Sequence, residues 1–428
     1  MPQEEPIDRG RERRAKLRQA RKRQQQLLRI RLMAAGVVLA LCAALIYFLS
    51  RSAPQSADPQ TVQAASTASS APLRADQQVE EQLPETVIHF AAAGDLIVCD
   101  ETVNAGGASY DYSDAFLDVL PLLADADLTV LNFEGNLVGS PYGTATASAP
   151  TQMLTALKEA GVDMLQVANS RSITNGITGL TATLQAVRAA GLEPLGAYAT
   201  NADFRAGKGY TIREVEGIRI ALVAFTKGMD NMSLPAGSED CVNLLYTDYD
   251  ADYQDVDTSG INQVMRALAE EQPDITIALL HWGSEYNDLI SDSQEEIRDL
   301  LLSQGADVII GTHPHYVQSI EYNQDNGQLV CYSLGDFFGA ADRPGTDYSI
   351  VLDLEITKDN NTGDTRVTDY SYTPICTTND GGQHRVLRLE EAITGYEMNY
   401  VEAVTPATYE DLQYNLERIL DRVQPDQE

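Results

Sequence analysis

From residue 86 onward, short runs of apolar and β-branched residues alternate with segments of helical periodicity. Such alternation is typical of βαβ units in an α/β fold. The pattern predicts eight strands, at residues 87–92, 128–132, 164–168, 218–225, 275–280, 308–310, 329–334 and 350–356. It also predicts five helices, at residues 114–123, 151–160, 178–190, 261–271 and 294–303.

A further amphipathic helix is predicted near the C-terminus. Five apolar side chains share one of its faces: Leu412, Leu416, Ile419, Leu420 and Val423. Thr408 with Asp411 offers a cap, and Pro425 a stop. The pattern therefore predicts an α/β domain at residues 86–375 and a C-terminal extension with this helix at residues 376–428.

Residues 32–49 form an apolar stretch without a charged side chain, LMAAGVVLALCAALIYFL. A helix of this length, at ~1.5 Å per residue, just crosses a hydrocarbon core of ~30 Å. Residues 1–31 carry 11 Lys and Arg against 4 acids, so this tail is predicted to stay in the cytoplasm. We expect a single-pass protein of the cell membrane, held in the lipid bilayer at 32–49, with its C-terminal domain outside the cell.

A cleaved signal peptide is the competing interpretation of this N-terminal region. The long basic segment argues against it, and Arg51 stands where a small-residue cleavage site is expected. Residues 50–85 are rich in Ala, Ser, Gln and Pro and poor in large apolar residues. Such a segment buries too little surface to offset the entropy of ordering it, so we expect a flexible linker there.

Composition narrows the class of protein further. The chain has 428 residues, is 43% hydrophobic and carries a formal net charge of -33. The hydrophobic content excludes wholesale disorder, and the acidic balance argues against a nucleic-acid partner. None of the five cysteines forms a CxxC pair, which argues against a Cys-rich zinc module. Whether the four outer cysteines form disulfides is left open by their spacing: Cys99, Cys241, Cys331 and Cys376.

Polar residues that could bind metal ions or take part in catalysis follow six of the predicted strands. In chain order they are Asp95, Glu134, the segment Asn169-Ser170-Arg171, His281 with Glu285, His313 with His315, and Asp336. In open α/β sheets, ligands bind in the crevice beyond the carboxyl ends of the strands. The sequence therefore predicts that these residues lie around one edge of the fold.

Carboxylates and imidazoles together are typical ligands of divalent Zn, Mn or Fe. Each residue could also have a purely structural role. Gly94-Asp95 could form a turn, Glu134 could be a solvated acid and His281 could be a histidine of the core. Three of the five histidines stand at such strand ends, beside acids at two others, which favours a centre of one or two metal ions. We interpret His89 and His384 as structural.

Six segments resemble, in this order, the capsule-synthesis CapA-type family of poly-γ-glutamate biosynthesis proteins: AAAGDLIV, LNFEGNL, ANSRSITNGITGL, ALLHWGSEY, VIIGTHPHYVQSIEY and CYSLGDFF. That family is related to the calcineurin-like metallophosphatases. The resemblance covers residues 86–373. It implies a layered α/β sandwich of metallophosphatase type with two metal ions at its edge.

The resemblance also implies roles for individual residues. Asp95 and His315 would bind the first ion, and Glu134 would bridge both. His281 and His313 would bind the second ion, while Glu285 would line the site.

One motif departs from the family pattern. Where the family has Asn-Asn-His, this chain has Asn169-Ser170-Arg171, and Asp336 stands where the family has Asn. Ser170 would be a weaker metal ligand than an amide. Arg171 keeps its proton near neutral pH, so it cannot act as a general acid, but it can pair with a phosphate or carboxylate. Either metal binds with incomplete coordination, or Arg171 takes the place of one cation.

Two classes of function remain open. The first is metal-dependent hydrolysis or transfer at a phosphoester, an amide or a polymer chain end, with Arg171, Glu285 and Asp336 as candidate catalytic residues. The second is a catalytically inactive protein that binds an anionic capsule polymer or organises its export machinery. An acidic domain should repel a polyanion unless Arg171, Lys227 and Arg343 supply local positive charge. Alternatively, the acids lie on the solvated outer face and have no bearing on the substrate.

Overall fold

The computed structural model describes residues 84–378, 384–399 and 404–423. The predicted tail at 1–31, the predicted transmembrane helix at 32–49 and all but the end of the predicted linker lie outside the described residues. Within the described ranges, no helix combines the length and the apolar character needed to cross a membrane.

The described residues form thirteen strands and ten α-helices, with a short 3-10 helix at Gly107–Ser109. The strands are β1 (Glu85–Ile97), β2 (Leu128–Glu134), β3 (Met164–Gln166), β4 (Glu193–Leu195), β5 (Thr211–Val215), β6 (Ile218–Thr226), β7 (Ile275–His281), β8 (Val308–Thr312), β9 (Ile320–Asn323), β10 (Gln328–Cys331), β11 (Tyr348–Asp359), β12 (Thr365–Thr378) and β13 (Arg385–Arg388). The helices are α1 (Asp100–Asn104), α2 (Ser113–Phe116), α3 (Leu120–Ala124), α4 (Gln152–Glu159), α5 (Gly176–Ala189), α6 (Asn201–Gly207), α7 (Thr258–Ala269), α8 (Asp292–Ser303), α9 (Leu389–Glu397) and α10 (Pro406–Val423).

Each of the eight predicted strands corresponds to an observed strand, and five observed strands were missed: β4, β5, β9, β12 and β13. Four of the missed strands have only three to five residues, too few to show a periodicity. Strand β4 also contains Pro194, which has no amide hydrogen to donate, and it lies at the edge of its sheet.

The helix predicted at 114–123 is wrong, because the chain forms the two short helices α2 and α3 there. Pro121 lies in the first turn of α3. It has no amide hydrogen for the carbonyl of Leu117, and its ring clashes with the preceding turn, so a helix cannot continue through it.

The strands form two mixed sheets. The seven-stranded sheet has the order β13-β12-β11-β1-β2-β3-β4, and the six-stranded sheet has the order β5-β6-β7-β8-β10-β9. Strands β1 to β4 run parallel in the first sheet, as do β6, β7, β8 and β10 in the second. The carboxyl ends of these parallel strands therefore meet at one edge of each sheet.

The two sheets pack face to face, with helices on their outer faces. Apolar side chains from both sheets fill the space between them, among them Phe90, Val130, Leu222, Ile277 and Ile310. Helices α4 and α5 cover the other face of the first sheet, and α7 and α8 cover that of the second. Residues of β2 alternate between these two cores, as expected for a strand with both faces buried. The predicted α/β class is confirmed, with the layers α, β, β and α.

The predicted end of the domain at residue 375 falls inside strand β12. This strand pairs with β11 from Tyr348 to Lys358 and with β13 on its other side. Helix α9 adds Leu389 and Ile393 to the core between the sheets. The chain beyond residue 375 therefore continues the same sheet and the same core.

Helix α10 buries one apolar stripe in that core. Leu412, Ile419 and Val423 are at most 2% exposed, whereas Leu420 is 39% exposed, contrary to the predicted face. The cap also differs from the prediction, because Oγ1 of Thr405 accepts a 3.2 Å hydrogen bond from the backbone amide of Thr408. The helix is therefore anchored by residues spaced seven and four apart, as expected for one buried face.

The four cysteines of the described residues are buried free thiols: Cys99, Cys241, Cys331 and Cys376. Burial raises the pKa of each thiol, and that of Cys331 rises to about 12. These side chains therefore act as small apolar core residues in this fold.

Candidate metal centre

The strand ends of both sheets bring the predicted acids and histidines into one cluster. Asp95 lies near the end of β1, Glu134 ends β2 and His281 ends β7. The remaining members follow strands β8 and β10: His313, His315 and Asp336. Each of these six residues is at most 6% exposed.

Gly94 allows Asp95 to reach this position. The pairing of β1 with β2 shifts register between Ala93 and Asp95. A Cβ atom at residue 94 would lie 1.8 Å from the carbonyl oxygen of Gly335. The amide of Asp95 donates a 3.1 Å hydrogen bond to that same oxygen. Only glycine permits this close approach, which fixes the backbone that carries Asp95.

Asn132 links two carboxylates of the cluster, those of Asp95 and Glu134. Its Nδ2 donates to Oδ1 of Asp95 at 2.6 Å and to Oε1 of Glu134 at 3.3 Å. Its Oδ1 accepts a 3.0 Å hydrogen bond from Nδ2 of Asn169. The sequence reasoning missed Asn132 as a site residue, although its place two residues before Glu134 puts both side chains on one face of the strand.

His281 and His313 lie side by side, with ring centroids 4.4 Å apart. Nδ1 of His281 is 3.5 Å from Oε1 of Glu134. Burial lowers the pKa of both imidazoles well below the usual value, so both are neutral at physiological pH. Nε2 of His281 and Nδ1 of His313 are buried and have no hydrogen-bond partner among the described residues. Neutral imidazoles with unpartnered nitrogens are suited to binding a metal ion.

The segment after β8 makes a strained turn. His313 and His315 have φ angles of 92° and 60°, in the left-handed region. The centroids of the two imidazole rings lie 6.1 Å apart. The amide of His313 donates a 3.0 Å hydrogen bond to Oδ2 of Asp95. Left-handed residues other than glycine cost about 1–3 kcal/mol each and persist where surrounding contacts hold them.

His315 is paired with Asp336. Its Nδ1 lies 2.7 Å from Oδ1 of Asp336 and 3.9 Å from Oδ2 of Asp95. Burial disfavours the charged imidazole, but attraction to Asp336, Glu134 and Asp95 outweighs it and raises the pKa of His315 to about 10. Burial raises the pKa of Asp336 to about 6.

The donor set fits a divalent cation. Three groups of side chains have ligand atoms within 4.8 Å of one another: Asp95 with Glu134 and His281, Asp95 with His315 and Asp336, and Glu285 with His313 and His315. Burial raises the pKa of Asp95, and burial followed by the nearby charge of Asp95 raises that of Glu134. A divalent ion would balance this buried negative charge, and mixed carboxylate and imidazole ligands suit Zn, Mn or Fe.

Ser170 and Arg171 lie beside Glu134. Oγ of Ser170 donates a 3.3 Å hydrogen bond to Oε2 of Glu134. The charges of His315 and Arg171 oppose the rise in the pKa of Glu134 that burial and Asp95 cause. The Arg171 side chain is 31% exposed, and its Nε lies 4.0 Å from Oδ2 of Asp230. Arg171 therefore borders the cluster from the solvent side.

Two further cations border the same cluster. Nζ of Lys227 donates a 2.7 Å hydrogen bond to the carbonyl of Gly283, and the Lys227 amide donates to the carbonyl of His281. The guanidinium of Arg343 lies 3.7 Å from the ring centroid of Tyr286.

Two other residues near the cluster, Tyr286 and Asp230, were not identified as site residues. The Tyr286 ring stacks on His315 at 5.1 Å. Its position next to Glu285 in the sequence was the available signal for Tyr286, whereas nothing in the sequence pointed to Asp230.

Comparison with known proteins relates this chain to one family. The family model described as bacterial capsule synthesis protein PGA_cap matches residues 89–340. The capsule biosynthesis protein CapA of Bacillus anthracis is 28% identical over 246 residues, which are 55% of this chain and 55% of that protein. The PGA biosynthesis protein CapA of Bacillus subtilis (strain 168) is 30% identical over 185 residues, 42% of this chain and 43% of that protein. The chain thus spans about half the length of the curated relatives it matches.

Among solved structures, the calcineurin-like phosphoesterase YfkN from Bacillus subtilis is similar at 14% identity and a TM-score of 0.42, covering 79% of this chain and 99% of that chain. A likeness of this size adds nothing to the assignment. The family match is the stronger finding, because it spans more than half of the chain and contains all six members of the cluster. The protein belongs to the family of bacterial capsule synthesis proteins, PGA_cap.

Proposed function

We propose that this protein is a membrane-anchored capsule biosynthesis protein whose outer domain uses a divalent metal centre for hydrolysis or transfer on an anionic polymer. The observation that carries the proposal is the convergence of three buried carboxylates and three histidines at the ends of strands from both sheets. The family assignment supports the role in capsule biosynthesis.

Asp95, Glu134, His281, His313 and His315 would hold one or two ions of Mn, Zn or Fe. A bound ion of this kind supplies Lewis-acid polarisation of a phosphoryl or carbonyl oxygen. Asn132 holds the Asp95 and Glu134 carboxylates in place through its amide. The buried, neutral His281 and His313 offer free nitrogen lone pairs without first losing a proton.

Arg171 gives this centre a different chemistry from that of an imidazole at the same place. A guanidinium binds and orients a negative group but does not serve as a general acid for a leaving group. The separation of 4.0 Å between Arg171 and Asp230 is a loose ion pair, which leaves the guanidinium able to turn toward a carboxylate or phosphate. Glu285 is exposed beside His313 and His315, so it would be accessible to an incoming chain end.

The alternative is a catalytically inactive protein that binds the polymer or organises its export. The Ser170-Arg171 pair favours this alternative, because the hydroxyl of Ser170 is hydrogen-bonded to Glu134 and Arg171 supplies no transferable proton. In that case the centre would bind a polymer end through metal and arginine without cleaving it.

The apolar stretch at 32–49 and the basic tail before it support anchoring in the cell membrane with the domain outside. Protease added to intact cells should then remove the domain and leave the basic tail protected. Recovery of an intact chain under conditions that digest a known surface protein would contradict this orientation.

The metal centre is tested on the full chain in detergent. Elemental analysis and calorimetric titration with Mn²⁺ are compared between the wild-type chain and the Glu134→Gln and His281→Ala variants. We expect bound metal in the wild type and loss of it in both variants. Metal with turnover of a generic phosphoester favours the enzyme, and metal without turnover favours the binding protein. An absence of Mn²⁺, Zn²⁺ and Fe²⁺ binding by the wild type would overturn the proposed centre.

A further inference from the structure

The C-terminal helix α10 reaches the segments that carry the metal-binding histidines. Arg422 lies one residue before the end of this helix. Its Nη2 donates a 2.9 Å hydrogen bond to Oδ2 of Asp288. Its guanidinium lies 4.9 Å from the ring centroid of Tyr316 and 5.5 Å from that of Tyr348. One side chain thus contacts both the residue after His315 and the loop at residues 284–290.

The loop at residues 284–290 lies directly against His315. The amide of Tyr286 donates a 2.9 Å hydrogen bond to the carbonyl of Pro314. The Tyr286 ring stacks on the His315 ring with centroids 5.1 Å apart and an angle of 22° between the planes. The guanidinium of Arg343 lies 3.7 Å from the centroid of the same tyrosine ring. Displacement of this loop would therefore move the ring that supports His315.

The conformation of this loop needs external support. Tyr286 has a φ of 56°, a left-handed conformation that a non-glycine residue keeps only where contacts over-determine it. Nε2 of Gln318 donates 3.0 Å hydrogen bonds to the carbonyls of Asn287 and Leu289. Arg422 also holds the loop, through its hydrogen bond to Asp288.

Helix α10 is a rigid carrier for Arg422. Leu412, Ile419 and Val423 anchor the helix in the core between the sheets. The Arg422 side chain is 14% exposed and that of Asp288 is 44% exposed, so only the arginine side of this ion pair is shielded from water.

We propose that Arg422 is a positioning residue that sets the geometry of the metal centre from outside the region shared with the family. The family match ends at residue 340, so both arginines that support the Tyr286 loop, Arg343 and Arg422, belong to the part of this chain beyond it. The inference rests on the proposed function in one respect, which is that His315 serves a metal centre.

Hydrogen exchange of the full chain in detergent, without added metal, tests the structural part. In Arg422→Met we expect the amides of the 284–290 loop, Tyr286 included, to exchange at least about tenfold faster, while those of β7 stay protected. Arg422→Lys should restore part of the protection, because it keeps a cation near Asp288. The matched control is Arg418→Met, which removes the same charge one turn earlier, where Arg418 lies over Tyr414 of its own helix.

Calorimetric titration with Mn²⁺ tests the positioning part on the same variants. We expect Arg422→Met to weaken Mn²⁺ binding about tenfold, Arg422→Lys to weaken it less, and Arg418→Met to leave it unchanged. A merely structural role would not produce this order of affinities while β7 stays protected.

Unchanged loop exchange in Arg422→Met would overturn the proposal, as would faster loop exchange with wild-type Mn²⁺ affinity. If Arg422→Met exchanges rapidly throughout the chain, Asp288→Ala decides, because it removes the acceptor of the same bond without touching the helix. Unchanged loop exchange in that variant would then overturn the proposal. A wild-type chain that binds no Mn²⁺ would refute the positioning role at a metal centre together with the proposed function, while loop exchange would still show whether Arg422 holds the loop.

Discussion

Nδ1 of His315 donates a 2.7 Å hydrogen bond to Oδ1 of Asp336, and both residues are at most 6% exposed. A carboxylate on one imidazole nitrogen fixes the ring orientation and raises its basicity. The family resemblance implies an asparagine at residue 336, which would hold the ring without adding a charge. The aspartate therefore changes the electrostatics of the centre as well as its geometry.

Asp336→Asn should lower the pKa of His315 from about 10. Burial already opposes the charged imidazole, and Asp336 is the strongest of the charges that favour it. Removing an adjacent opposite charge shifts a pKa by about 1–3 units. NMR titration of the metal-free chain measures this shift. Asp230→Asn serves as the control, because Asp230 makes no hydrogen bond to His315 in the structure, and an equal shift there would contradict the assignment.

The double substitution Ser170→Asn with Arg171→His should raise the Mn²⁺ content of the purified chain. It restores an amide ligand beside Glu134 and removes a fixed positive charge that competes with a second cation. Elemental analysis and phosphoester turnover are the measurements. Arg188→His, an exposed change of the same type at the end of α5, should alter neither. Unaltered metal content and turnover in the double variant would mean that these two positions do not limit the centre.

Gly94→Ala should destabilise the fold and weaken Mn²⁺ binding. The added Cβ would lie 1.8 Å from the Gly335 carbonyl oxygen, so β1 must shift and carry Asp95 with it. Overpacking of this kind costs about 1–3 kcal/mol. Denaturant unfolding and calorimetry measure the two effects. Gly207→Ala is the control, because its Cβ would meet only an ordinary contact, at 3.7 Å from Tyr198. Wild-type stability in Gly94→Ala would contradict the close approach.

His384 and His89 should affect acid stability in opposite directions. Burial lowers the pKa of His384, whose Nε2 donates a hydrogen bond to the Gly339 carbonyl. The stability that neutral His384 gives the folded state is therefore lost as pH falls through the unfolded pKa of 6.5. The hydrogen bond to Asp353 raises the pKa of His89. The stability that protonated His89 gives the folded state is therefore present below pH 6.5 and lost as pH rises through the pKa of His89 in the folded state.

Unfolding midpoints at about pH 5.5 and about pH 7.5 bracket the ordinary histidine pKa and test this pair. Relative to wild type, His384→Gln should lose less stability on acidification, and His89→Gln should lose more. Changes of the same sign in both variants would contradict these assignments.

Continuous apolar runs made the central strands predictable. Strands β7 and β8 are buried along their whole length, and a run of buried positions is visible in the sequence without knowledge of any partner. Strand β12 was missed because most of its first nine residues are at least partly exposed, so its sequence is largely polar there. Its strand conformation comes from pairing with β11 and β13, which the local sequence does not encode.

The sequence by itself predicted that Asp95 and Glu134, and likewise His281, His313 and His315, follow the ends of parallel strands, which lie on the same side of a sheet. Only the packing of the two sheets brought these two edges together. Only the tertiary structure decided how these groups are oriented. The left-handed turn at His313 and His315, the bridge made by Asn132 and the turn of Asp336 toward His315 depend on contacts between strands far apart in the chain. The same holds for Arg422, whose place beside the 284–290 loop follows from the packing of α10. Local periodicity reports which face of an element is buried, whereas the direction of a side chain within a site is set by the non-local atoms that surround it.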